Sequence, residues 1–119
     1  MNGSISLLLI HSPLTGPDVW HPVAETLRAH GAVAHVAELR EDGAPGEPFW
    51  ARHARSVAEA LRALPGGERP LLVGHSGAGA LLPLVREAGA EDLVHRLGHL
   101  YVYRSAHSLE KDRLAWELR

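Results

Sequence analysis

Ser76 is the residue of this chain whose surroundings are most suited to covalent chemistry. It stands in Pro70-Leu-Leu-Val-Gly-His-Ser-Gly-Ala-Gly-Ala-Leu-Leu-Pro-Leu84, where a short apolar run meets a turn of small residues and then apolar residues at helical spacing. That pattern reads as strand, sharp turn, helix. Such a turn forces its central residue into a strained conformation that lifts the side chain clear of the sheet, and only small neighbours fit because the strand and helix backbones nearly touch. Gly74 lies two before Ser76, Gly77 directly after, and Ala78 takes the place where a second glycine is usual. A serine so placed can attack a carbonyl carbon, provided that a base takes its proton and fixed donors receive the developing oxyanion. Two other readings compete. Ser76 could cap the helix of a glycine-rich turn in some other doubly wound protein. A phosphate cradle is the second, but no lysine completes a Walker pattern, and Gly77-x-Gly79 continues to Leu82 where the dinucleotide fingerprint requires glycine.

The elements that must position Ser76 follow from the apolar pattern. Ile5 to Ile10 is a continuous apolar, β-compatible run, which suits a strand buried on both faces of a parallel sheet. His11 to Trp20 is a loop containing proline and glycine, and it leads into a helix with Pro22 in its first turn and Gly31 at its stop. Ala32 to Leu39 is a second strand. The loop Arg40 to Pro48 follows, its acidic residues expected to face water. Phe49 to Leu64 is the clearest helix, with Trp50, Ala54, Val57, Leu61 and Leu64 on one apolar face, so that Phe49 and Trp50 read as core or loop anchors. Leu71 to Val73 is the third strand. After the turn, Ala78, Leu81, Leu82 and Val85 repeat at helical spacing, and Pro83 is expected to bend that helix unless it falls in an early turn. Leu100 to Tyr103 is a fourth strand candidate, Arg104 to His107 its exit loop, and Ser108 the cap of a short terminal helix. Strands about thirty residues apart with a helix in each gap give an open parallel sheet of about four strands with helices on both faces.

Leu72-Val73-Gly74-His75-Ser76-Gly77-Ala78-Gly79 resembles the nucleophile elbow of the α/β-hydrolase family. The segment from His11 through Trp20 to Pro22-Val-Ala is similar to the loop after the first core strand of that family, and this second match is independent of the first. The resemblance is strongest over residues 4–103 of a single domain spanning 1–119, and it implies a truncated hydrolase core with the third strand beside the first. It further implies an oxyanion hole built from the residue after the nucleophile, Gly77, and from a backbone N–H after the first strand. At the second place this chain departs from the family, because Ser12 replaces a glycine and Pro13 has no N–H. Leu14 or the Ser12 hydroxyl then substitutes, or only half the hole is built. His11 and Ser12 equally suit plain loop chemistry that satisfies a strand end.

The family places its acid and then its histidine after the nucleophile. The histidines after Ser76 are His95, His99 and His107, and of these His107 alone lies on an expected strand exit at the serine's end of the sheet, which makes it the candidate base. The acid is not identified. His75, inside the elbow, is expected with His11 to line the pocket. His95 and His99 have a spacing that places both on one helical face, as in zinc sites, but Gly98 opposes a helix there and no third ligand accompanies them. No metal or other cofactor is implied.

The function classes are narrowed further by composition. No cysteine is present, so thiolate chemistry and disulfides are excluded. Net charge is −2 with basic and acidic residues scattered, which gives no surface suited to nucleic acid or to an anionic membrane. No basic segment precedes an apolar one at the N-terminus, so the expected location is cytoplasmic. Two functions fit. One is a serine hydrolase acting on an ester or related small acyl substrate through Ser76. The other is a hydrolase-like binding or remnant protein that lacks the acid and histidine, with a sheet edge open to homodimer pairing.

Overall fold

In the computed structural model, which describes residues 3–85 and 105–117, the apolar run Ser6–Ile10 is the central strand β1. Val33–Ala37 forms β2 and Leu71–Gly74 forms β3, and both pair in parallel with β1 to give the order β2-β1-β3. The helices among the described residues are α1 (His21–Ala29), α2 (Phe49–Arg62), α3 (Leu82–Val85) and α4 (Ala106–Glu117), with 3-10 turns at Pro17–Trp20 and Ser76–Leu81. This is an α/β fold built on an open parallel sheet. Three of the expected strands lie in the described part, and the fourth candidate, residues 100–103, lies outside it.

Side chains alternate across β1, so its two faces feed two separate cores. Leu8 and Ile10 pack with Ala54, Val57, Ala58 and Leu61 of α2 and with Ala78, Leu81 and Val85 beyond β3. Leu9 packs on the other face with Ala24 and Ala34, and Trp20 and Leu27 close over them. The split follows from topology. The connection β1-α1-β2 steps to one side of β1, whereas β2-α2-β3 steps back across it, so crossovers of one hand place α1 and α2 on opposite faces.

Two polar contacts tie the strands together. At one end, Glu68 accepts hydrogen bonds from the Ser6 hydroxyl and from His35 Nε2, the latter at 2.6 Å, which joins the approach to β3 with β1 and β2. These donors hold the Glu68 carboxyl below its ordinary range, the Ser6 hydroxyl contributing most. At the other end, buried His11 accepts the Leu39 N–H at Nε2, 3.0 Å, and its Nδ1 lies 2.8 Å from the Ser12 carbonyl oxygen. A ring that accepts at Nε2 and faces a carbonyl at Nδ1 is neutral with its proton on Nδ1.

Several local expectations change. The chain after Ser76 begins as a 3-10 turn and becomes α-helical only at Leu82. Pro83 therefore falls in the first turn of α3, where its missing N–H interrupts no hydrogen bond within that helix. Helix α4 starts at Ala106, and its cap is Ser105, whose hydroxyl accepts the Ser108 N–H at 3.2 Å. His107 thus stands in a helical first turn, not in a loop. Glu47 does not face water freely, because Arg55 and Arg52 of α2 hold its carboxylate and lower its pKa, with the Arg55 hydrogen bond the largest cause.

Glu68→Gln should lower the melting temperature at about pH 7, and the gap to wild type should narrow as pH falls below the ordinary carboxylate range, because a depressed carboxylate pKa stabilises above the unfolded value and ceases to as pH falls through the folded one. Thermal melts of both proteins across that range check the sign. His11→Ala, which leaves the Leu39 N–H without its acceptor, should cost about 1–3 kcal/mol in urea unfolding.

Candidate active site

Ser76 has φ of 55°, the only positive φ among the described residues other than glycine. The geometry around it explains why. The His75 N–H donates to the Ile10 carbonyl at 3.0 Å, which carries the β1–β3 pairing one residue past the strand, and the Ala78 N–H then bonds back to the His75 carbonyl at 3.1 Å. Between those two bonds the chain reverses at Ser76. A Cβ placed on Gly74 would lie 3.1 Å from both the Ala78 carbonyl carbon and the Gly79 nitrogen, so glycine permits the strand and the turn to approach this closely. Ser76 is exposed at the apex, whereas Ala78 is fully buried beneath it.

The apex opens onto a cleft of about 350 Å³. Ser76 and Gly77 form one wall, and Ser12, Pro13 and Leu14 of the β1 exit loop face them. A Cβ on Gly77 would meet Pro13 Cδ at 3.4 Å and Ser12 Oγ at 3.8 Å, which measures how near the two walls come. The remaining lining is apolar: Phe49 and Trp50 from the start of α2, and Ala80, Leu81 and Leu84 after the elbow. Gly77 stands second in its 3-10 turn, where a backbone N–H has no acceptor within the turn. Across the cleft, the Leu14 N–H donates to Ser12 Oγ at 3.2 Å.

The expected site residues are distributed as follows. Ser76, Gly77, Ser12 and Leu14 come together on one cleft. His75 turns instead into an adjoining depression of about 230 Å³ with Val19, Trp20 and Val23, where the Trp20 ring meets it edge-on at 6.1 Å. His11 is buried beneath the loop with its hydrogen bonds to Ser12 and Leu39 and does not line the cleft. His107 is exposed in the first turn of α4, and among the described residues no hydrogen bond joins it to Ser76. His95 and His99 lie outside the described residues.

Phe49 and Trp50 are the residues that pattern alone misassigned. The stripe through Ala54, Val57 and Leu61 is buried as expected, but Trp50 is 43% exposed and Phe49 60% exposed on the rim of the cleft. Topology held the missing signal. A helix that connects two parallel strands starts at their carboxyl ends, so its first residues must stand near the loops that carry Ser12 and Ser76.

No protein-family model matches this chain, and no curated protein matches it. Among solved structures, polyneuridine aldehyde esterase is similar to it, with a TM-score of 0.61 and 20% identity over 77% of this chain. The chain spans 38% of that protein's length. At this identity the likeness concerns the fold, and it is a likeness to an α/β-hydrolase core.

Proposed function

We propose that this chain carries the nucleophile half of a serine hydrolase site, acting on a small ester or related acyl substrate through Ser76. The observation that carries the reading is the left-handed backbone of Ser76 at the switch point between β1 and β3, where open α/β sheets bind their ligands. A residue is held in that costly region only where the surroundings dictate it, and such strain concentrates at functional sites. The fold shared with an esterase agrees with this reading.

In the proposed reaction Ser76 Oγ attacks the substrate carbonyl carbon while its proton passes to a general base, the role that the family resemblance gives to His107 and that the closed, substrate-bound site would have to bring within reach. The carbonyl π electrons move to the oxygen, which the Gly77 N–H receives. Collapse of that intermediate reforms the carbonyl and breaks the bond to the alkoxide, which leaves with the proton from that base. Water then releases the acyl group by the reverse sequence, and the acid is formed with Ser76 restored. The apolar lining of the cleft and its volume of about 350 Å³ suit a compact acyl group more than a polar or polymeric one.

A second reading, a binding protein on the same scaffold, is favoured by one observation: among the described residues Ser76 Oγ makes no hydrogen bond, and neither a histidine nor an acid lines its cleft. Stopped-flow hydrolysis of p-nitrophenyl acetate separates the two. The hydrolase reading predicts a burst of about one p-nitrophenolate per chain, its loss in Ser76→Ala with a rate drop of about 10³-fold or more, and a drop of about 10²–10⁴-fold in His107→Ala. A folded wild type no faster than Ser76→Ala supports the binding protein. Full activity in His107→Ala would assign the proton to another group.

A further inference from the structure

We propose that the Ser12 hydroxyl is a catalytic hydrogen-bond donor, completing with the Gly77 N–H the site that receives the oxyanion. This rests on the hydrolase reading of Ser76 and names a part of that site which the backbone of this loop is badly placed to provide. Pro13 has no N–H, and the Leu14 N–H already donates to Ser12 Oγ at 3.2 Å. A hydroxyl has one proton and two lone pairs. The Leu14 bond occupies a lone pair, and among the described residues the Ser12 proton has no acceptor.

Three further contacts hold the residue that carries this proton. The Ser12 carbonyl oxygen accepts the Thr15 N–H at 3.0 Å and the Thr15 hydroxyl at 3.2 Å, and His11 Nδ1 lies 2.8 Å from it. Ser12 is only 3% exposed, yet it lines the cleft opposite Ser76 and Gly77, with its Oγ 3.8 Å from where a Gly77 Cβ would stand. The hydroxyl oxygen is therefore fixed beside the cleft before substrate arrives, with its proton free to turn toward an acceptor there. A donor held beside a carbonyl oxygen gains strength as that oxygen takes on charge, so its effect falls on the transition state. The Leu14 N–H behind the hydroxyl polarises it in the direction that makes it a better donor. No proton is transferred: Ser12 keeps its proton throughout and only shares it.

The test is steady-state hydrolysis of p-nitrophenyl acetate by wild type, Ser12→Ala, Ser12→Cys, Ser12→Thr and Ser76→Ala, each checked for fold by circular dichroism. Ser12→Ala removes the donor, and Ser12→Cys keeps nearly the same shape with a weak donor. Both should lower kcat by about 10²-fold with KM within about threefold, and Ser12→Thr, which keeps the hydroxyl, should retain most of kcat. If Ser12→Ala and Ser12→Cys fold and keep kcat within about threefold of an active wild type, Ser12 only shapes the loop and the inference is overturned while the nucleophile stands. A wild type that equals Ser76→Ala overturns the nucleophile and Ser12 with it.

Discussion

The contact between the end of β3 and the turn that follows it constrains everything else in this structure. With glycine at position 74, the Ala78 and Gly79 backbone comes within 3.1 Å of where a side chain would begin, and the chain accommodates this by turning Ser76 to φ of 55°. That conformation costs about 1–3 kcal/mol for a residue with a side chain, so it persists only under constraint. The constraint is supplied on both sides of the turn. Before it, Gly74 is paired with Ile10 and the His75 N–H with the Ile10 carbonyl, so the strand cannot slip. After it, Ala78, Leu81 and Val85 are buried against Leu8, Ile10 and α2, and relaxing Ser76 would pull them from that core.

The position of β1 at the centre of the sheet links that strain to the cleft. Its C-terminal end supports both the His75 contact and the loop that faces Ser76, so one strand sets the separation of the two walls. His11 makes the loop part of the core, because its ring spans from the Ser12 carbonyl to the Leu39 N–H after β2. The Ser12 carbonyl is thereby committed to internal bonds with His11 and Thr15, and apolar side chains of the loop are left outward. Leu14 is 95% exposed, and with the half-exposed Phe49 and Trp50 it gives the cleft an open apolar rim. Among the described residues no helix is long and apolar enough to cross a membrane.

Much of this was legible in the residues. The apolar run Ile5 to Ile10 announces a strand buried on both faces, which holds for Leu8, Leu9 and Ile10 while Ile5 stays 61% exposed before β1; Ala54, Val57 and Leu61 announce the buried stripe of α2, and the glycines around Ser76 the tight turn. What the pattern did not carry was set by tertiary contacts. Trp50 continues the apolar stripe in sequence, but the sheet ends before that turn of α2, so Trp50 reaches the cleft instead of the core. Ser105 and Ser108 are both competent helix caps, and only the backbone path decides that Ser105 takes the role. His11 could have served a pocket or a strand end, and its two hydrogen-bond partners, one of them 28 residues away, decide for the strand end. The order of strands came from the resemblance to a known family, since periodicity alone cannot say which strand lies beside which.

The most direct test of the account is mass spectrometry of the folded, full-length chain after incubation with a fluorophosphonate, followed by mapping of the modified peptide. If the strained turn presents an activated serine, one adduct forms per chain, it maps to Ser76, and prior unfolding in urea prevents it. A folded chain that stays unmodified, or that carries its adduct on another serine, would contradict the claim that this turn exists to present a nucleophile.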